Sequence, residues 1–147
     1  MTRSRGLGDV YKRQLHNREA FKDFYSILKK YFSNLPGGIV HCFTGSKSEL
    51  VSFLDLGLYI GITGWVCDER RGADLNSLLK FIPKDRLIIE TDAPYLIPRN
   101  LKSKTKHNIN TPMNLPHIAE HIANVRGENV IEMAEYTTEN FKNLFTL

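Results

Sequence analysis

Several things that would narrow the class of this 147-residue chain at once are scarce in it. There are only two cysteines and one tryptophan. Cys42 and Cys67 lie far apart without metal-type spacing, which argues against a zinc knuckle or a disulfide framework and for free buried thiols. No apolar run approaches the roughly 18 residues that a membrane span needs. The opening MTRSRGLGDVYKRQ lacks the apolar centre of a signal peptide, so a cytoplasmic protein with no membrane partner is expected. Repeats and low-complexity tracts are missing, and so is a strong charge bias. A net charge of +4 permits a nucleic-acid partner without arguing for one. What remains, 41% hydrophobic and 24% charged residues, suits one ordinary globular domain.

Hydrophobic periodicity divides the chain into alternating elements. Residues 1–14 carry four basic residues, one acid and no period, and read as an unmatched tail. Phe21, Phe24, Tyr25, Leu28 and Phe32 recur at helical spacing, and the helix ends before Pro36, Gly37 and Gly38. Gly38 to Phe43 reads as a buried strand. Ser46 and Glu49 have the spacing of a capping box, opening a helix that stops at Gly57. Leu58 to Ile62 is the next strand and 64–72 a loop. Leu75, Leu78, Leu79 and Ile82 mark a helix closed by Pro83, and Arg86 to Thr91 a third strand. A long polar connection from Ala93 to Thr111 follows. Leu115, Ile118, Ile122 and Val125 form a helical stripe ending at Gly127, and two short helices, about 128–136 and 139–146, are expected after it. This alternation implies an α/β fold with a parallel sheet, either doubly wound or part of a (β/α) barrel.

In a parallel sheet every strand ends on one face, which would gather His16, His41, Glu90 and Asp92 from three segments. In a strand, Glu90 and Asp92, two residues apart, would point the same way. Imidazole nitrogens with carboxylate oxygens suit a catalytic divalent metal, although a histidine at a strand end also serves as a hydrogen-bonded structural residue. Lys47, Arg70, Arg71 and the run from Arg99 to Lys106 fall on the same loops and favour a phosphate-bearing substrate. Thr44 and Gly45 could offer backbone N–H groups to an anion. Trp65 could stack on a base or belong to the core.

Taken together, His41 to Gly45 (HCFTG), 59–72 (YIGITGWVCDERRG), Leu87 to Pro98 (LIIETDAPYLIP) and Thr138 to Phe145 (TENFKNLF) resemble the TatD family of metal-dependent DNases. The likeness runs from about Leu15, so 15–147 is expected to be one TatD-like hydrolase domain. It implies a partial TIM barrel of the metallo-dependent hydrolase type and phosphodiester hydrolysis, 3′-5′ on single-stranded DNA or other nucleic acid. It also implies a divalent metal, magnesium first, with manganese or zinc as alternatives. By matching position, His16 in LHNREA, His41 and Asp92 are the expected metal ligands. Asp92 is in addition the acid expected to accept the proton of the attacking water, and Glu90 stands behind the ligands. Thr44, Gly45, Trp65, Arg70 and Asn110 are the expected substrate contacts.

Two departures qualify the likeness. A complete barrel of this kind runs to about 250 residues, and nothing here corresponds to the family's first-strand HxH pair or its metal-bridging glutamate. The chain therefore reads as a carboxyl-terminal half, with weak metal affinity, little activity of its own and strand edges open to self-association. At 109–112, Ile-Asn-Thr-Pro stands where the family has an RNEP-like motif, which removes an arginine and a glutamate. Competing readings are a basic nucleic-acid-binding module without catalysis and a metallo-hydrolase of a carbonyl substrate.

Overall fold

The structure, a computed structural model, describes residues 13–35, 37–101 and 109–145. Residues 1–12 of the expected tail, and Lys102, Lys104, Lys106 and His107 of the basic run, lie outside the described residues. Arg13 and Gln14 already belong to the first strand.

In chain order the elements are β1 (Arg13–His16), α1 (Phe21–Tyr31), β2 (Gly38–His41), α2 (Lys47–Asp55), β3 (Tyr59–Ile62), α3 (Ala73–Leu78), β4 (Leu87–Ile89), α4 (Leu115–Arg126) and α5 (Val130–Phe145). The four strands are all parallel and stand in the order β1-β2-β3-β4. A doubly wound sheet reverses its order at a switch point; this one never does, as in the wall of a barrel.

The helices form where the sequence provides a stripe and a stop. On α1, Phe21, Phe24 and Tyr25 surround Phe53 of α2 at ring separations of 5.4, 5.8 and 6.3 Å, so one aromatic cluster ties the first two β-α units together. The expected capping box is present: the Glu49 N–H donates to Ser46 Oγ, and the Ser46 N–H donates to Glu49 at 2.6 Å. Gly57 adopts φ 79°, a conformation costly for a side-chain-bearing residue, and turns the chain into β3. Leu50, Phe53, Leu58, Ile60, Ile62, Leu79, Leu87, Ile118, Ile122 and Met133 fill the core between the sheet and its helices.

The carboxyl end differs from expectation, since α5 is one continuous helix where two were expected. Thr137, where a break was read, is buried, and its hydroxyl donates to the Met133 carbonyl at 2.8 Å, one turn back. Asn140 is equally buried and donates to the carbonyls of Lys84 and Leu87 at 2.7 and 2.8 Å. A bond within the helix at Thr137 and tertiary bonds at Asn140 thus keep these polar residues in the helix interior.

Candidate active site

The carboxyl ends of β1, β2 and β4 deliver the expected acids and histidines to one place. His16 and His41 are neighbours in the β1–β2 register, with ring centroids 5.7 Å apart. β4 ends at Ile89, but the ladder continues for one more bond, from the Glu90 N–H to the Ile62 carbonyl at 2.8 Å. Asp92 then takes φ 56°. The two acids are therefore not alternate residues of one strand, as expected; the left-handed turn brings Asp92 to the other side of the imidazole. Glu90 Oε2 faces His41 Nδ1, and Asp92 Oδ1 lies 3.2 Å from Nε2. Gly61 makes this possible, because a Cβ there would collide with the Glu90 carboxylate.

A carboxylate bonded to one imidazole nitrogen fixes the tautomer and aims the other nitrogen at its target. With Nδ1 donating to Glu90, His41 presents the Nε2 lone pair to the same space as Asp92 Oδ1. Burial pushes the Glu90 carboxyl above its ordinary value, and the adjacent His41 opposes that rise. An imidazole nitrogen and a carboxylate oxygen fit part of the ligand set of a divalent metal, with the His16 ring beside them. Among the described residues, no three such donors converge on one point.

A cavity of about 470 Å³ opens next to this pair and is lined in part by His16, Thr44, Gly45, Trp65 and Asp92. Asn17, Arg18 and Cys42 also line it, and sequence reading missed all three. Their only sequence signal was position, each being next to or two residues beyond a strand-end histidine. Cys42 has φ 49°, its Sγ lies 3.3 Å from Thr63 Oγ1, and burial pushes its thiol up. Asn17 Oδ1 is buried and has no hydrogen-bond partner. Glu49 also lines the cavity and takes the Ser46 N–H, so its carboxylate already occupies the start of α2, where an anion was expected.

Other expected contacts lie elsewhere. Arg70 is 69% exposed in its side chain and lines neither this cavity nor the adjoining one. Its neighbour Arg71 stands over Trp65 instead, the guanidinium carbon 5.9 Å from the ring centroid. Lys47 stands over the Phe81 ring. Asn110 is buried: its amide nitrogen donates to the carbonyls of Thr91, Tyr95 and Leu96, and its oxygen accepts from Thr111 N–H and Asn114. It pins the loop after β4 and has no group left for a substrate.

Comparison with known proteins gives this arrangement its context. The family model described as TatD related DNase matches residues 12–146. The chain belongs to that family. A relative from Rahnella sp. (strain Y9602), named 3′-5′ ssDNA/RNA exonuclease TatD, is 53% identical over 133 residues, covering 90% of this chain and 51% of that protein. One of the same name from Klebsiella pneumoniae (strain 342) is 51% identical over 131 residues, covering 89% and 50%. Among solved structures, a TatD family hydrolase from Entamoeba histolytica superposes with a TM-score of 0.77 at 26% identity, over 90% of this chain and 50% of that one. A TatD homologue from Escherichia coli gives 0.81 at 25%, over 92% and 50%. The fold is thus an α/β fold with a parallel sheet that matches half of the TatD structures, and the chain spans about half the length of the curated relatives it matches. Membership in the TatD family implies use of a divalent metal. No helix among the described residues is long and apolar enough to cross a membrane.

Proposed function

We propose that the chain carries half of the active site of a metal-dependent phosphodiester hydrolase that degrades single-stranded DNA or RNA in the 3′-5′ direction. The observation that carries this reading is the Glu90–His41–Asp92 arrangement at the carboxyl ends of a parallel sheet, where barrels of this kind do their chemistry. His41 Nε2 and Asp92 Oδ1, joined by His16, would hold the metal. Magnesium is the first candidate, with manganese or zinc as alternatives. A bound divalent ion supplies a polarised phosphoryl oxygen and a more acidic water. As the water oxygen bonds to phosphorus and the P–O bond to the 3′ oxygen of the remaining strand breaks, Asp92 accepts the water proton on its carboxylate and returns it to that departing oxygen. Glu90 holds the His41 ring throughout. Thr44, Gly45 and Trp65 wall the nucleotide, and Asn110 fixes the loop that carries Asp92. Free Cys42 and Cys67 fit a reducing, cytoplasmic setting.

Among the described residues, β1 and β4 each have one unpaired edge. We propose that a second copy pairs with these edges and contributes its own His16, His41 and Asp92 to the shared mouth. Among the described residues no three donors converge on one point, which favours as a second reading a nucleic-acid-binding module without catalysis. Digestion of a 3′-labelled single-stranded oligonucleotide by the 147-residue protein, with magnesium or manganese and with chelator, separates the two. Metal-dependent loss of 3′ nucleotides that disappears in Asp92→Asn supports hydrolysis. Binding unchanged by chelator, without cleavage, supports the second reading.

A further inference from the structure

A smaller cavity of about 250 Å³ adjoins the first, and both have Trp65 and Leu96 in their walls. The indole therefore stands at their boundary. Arg71, Arg99 and Asp68 all line the smaller cavity. Asp68 is 8% exposed and binds Arg99 Nε at 2.9 Å while accepting the Arg70 N–H at 3.0 Å. That backbone bond, together with the two arginines, holds its carboxyl below the ordinary carboxylate range. Arg99 is thus neutralised by an ion pair. Arg71 has no carboxylate partner among the described residues and rests against the face of Trp65.

The walls are fixed by close backbone packing. A Cβ at Gly72 would meet the carbonyl oxygens of Trp65, Val66 and Asp68, each at 2.8 Å, so only glycine closes the turn that aims Arg71. A Cβ at Gly64 would meet the Leu96 carbonyl at 2.6 Å, which shows how closely the loop after β4 lies on the Trp65 turn. An uncompensated guanidinium beside a half-buried aromatic face, in a cavity one residue away from Asp92's, matches one ligand chemistry. That ligand is a planar base with a phosphate attached.

We propose that this cavity is a second nucleotide subsite, in which a base stacks on Trp65 and its phosphate meets Arg71 while the neighbouring phosphodiester lies beside Asp92. The assignment rests on the nucleic-acid reading above and makes that reading narrower: the chain takes oligonucleotides in preference to mononucleotides. It requires no cleavage, so it is tested in chelator, where a failure of catalysis has no bearing on it.

Trp65 is the single tryptophan of the chain, so its fluorescence reports on the boundary between the two cavities, and the Arg71 variant assigns the signal to this subsite. The titrants are thymidine 5′-monophosphate, a thymidine tetranucleotide and an abasic tetramer of equal charge. The tetranucleotide is expected to quench the emission and to bind about 10-fold or more tighter than the monophosphate. The abasic tetramer should compete without quenching. Arg71→Ala should weaken tetranucleotide binding and reduce the salt slope by about one. Lys29→Ala, at the far end of α1, should change neither. Trp65→Leu, followed with a labelled tetranucleotide, should erase the advantage over the abasic tetramer, and Trp65→Phe should restore most of it. Equal binding of abasic and base-bearing tetramers, or an Arg71→Ala protein indistinguishable from the parent, overturns the subsite. Loss of metal-dependent digestion with quenching intact would remove the hydrolase reading and leave the subsite standing.

Discussion

The two ends of the sheet treat buried polar groups in opposite ways. Around the start of β4 every such group is saturated. Arg126, 5% exposed in its side chain, donates to the carbonyls of Leu79 and Ile82 and pairs with Glu128 at 2.8 Å, whose second oxygen accepts the Tyr136 hydroxyl at 2.7 Å. Burial together with its bond to Glu128 pushes the Tyr136 hydroxyl up, so it stays a donor at any ordinary pH. Asn140 closes the neighbouring carbonyls. At the carboxyl ends the pattern reverses. Asn17 Oδ1 has no partner, burial raises the Glu90 carboxyl, and Cys42, Asp92 and Leu96 all adopt positive φ. Left-handed backbone at residues other than glycine costs on the order of 1–3 kcal/mol each and persists only where the surroundings impose it. One end is fully bonded, and the other carries the unpaired and strained groups on which the proposed chemistry rests. Substitutions should therefore separate into those that change function at constant stability and those that do the reverse.

The largest effect expected at the upper end is that of Asp92→Asn. Metal-dependent digestion of 3′-labelled DNA should fall by about 10²–10⁴-fold, with a melting temperature equal to or above that of the parent, because a charge beside Glu90 is removed. A stability loss that matches the activity loss would mean that Asp92 belongs to the scaffold. At the other end Arg126→Ala removes the cation that pairs with Glu128 and the donor that reaches the Leu79 and Ile82 carbonyls, and should cost about 3–5 kcal/mol in urea unfolding. Tetranucleotide affinity of the remaining folded protein should not move. If it does, the division between the two ends fails.

Sequence reading saw the two ends unequally, for physical reasons. Strand ends are visible as apolar runs that stop at a polar residue, so His41, Glu90 and Asp92 could be named. The capping box of Ser46 and Glu49 and the stripe of α4 were equally plain, since both are local patterns. How Asp92 faces His41 was not visible, because the turn that aims it puts φ 56° on an aspartate where pattern reading looks for glycine. Of two adjacent arginines, only the turn at Gly72 decides that Arg71 and not Arg70 meets Trp65. Asn110 shows the same limit: an amide that pins five backbone and side-chain groups looks in sequence like one that greets a substrate. Thr137 read as a helix break because a polar residue between two short apolar stretches gives no sign that its hydroxyl bonds back to Met133 in the same helix, and the partners of Asn140 lie on residues that only the tertiary fold brings near.

Two smaller effects sharpen the comparison further. Asn140→Ala leaves the Lys84 and Leu87 carbonyls without a donor and should cost about 1–3 kcal/mol, read by the same unfolding curve and again without effect on binding.

The smallest effect concerns His121, which joins α3 to the loop after β4. Its Nε2 meets Asn76 Oδ1 at 3.1 Å, and Asn76 in turn donates to the Val66 carbonyl beside Trp65; its Nδ1 meets Asn100 of the loop after β4 at 3.3 Å. Burial, and next the charge of His117, hold His121 below its ordinary value of 6.5. A base whose folded pKa is lowered contributes stability that is present above its unfolded pKa and lost as pH falls toward the folded value. The protein should therefore lose stability as pH drops below about 6.5, and His121→Gln, which keeps a donor and an acceptor but does not titrate, should flatten that part of the profile. Because His121 braces the Trp65 turn, the same acidification should weaken quenching by the tetranucleotide in the parent more than in His121→Gln. An identical loss of quenching in both proteins would place the pH response in the site itself and separate the brace from the subsite it supports.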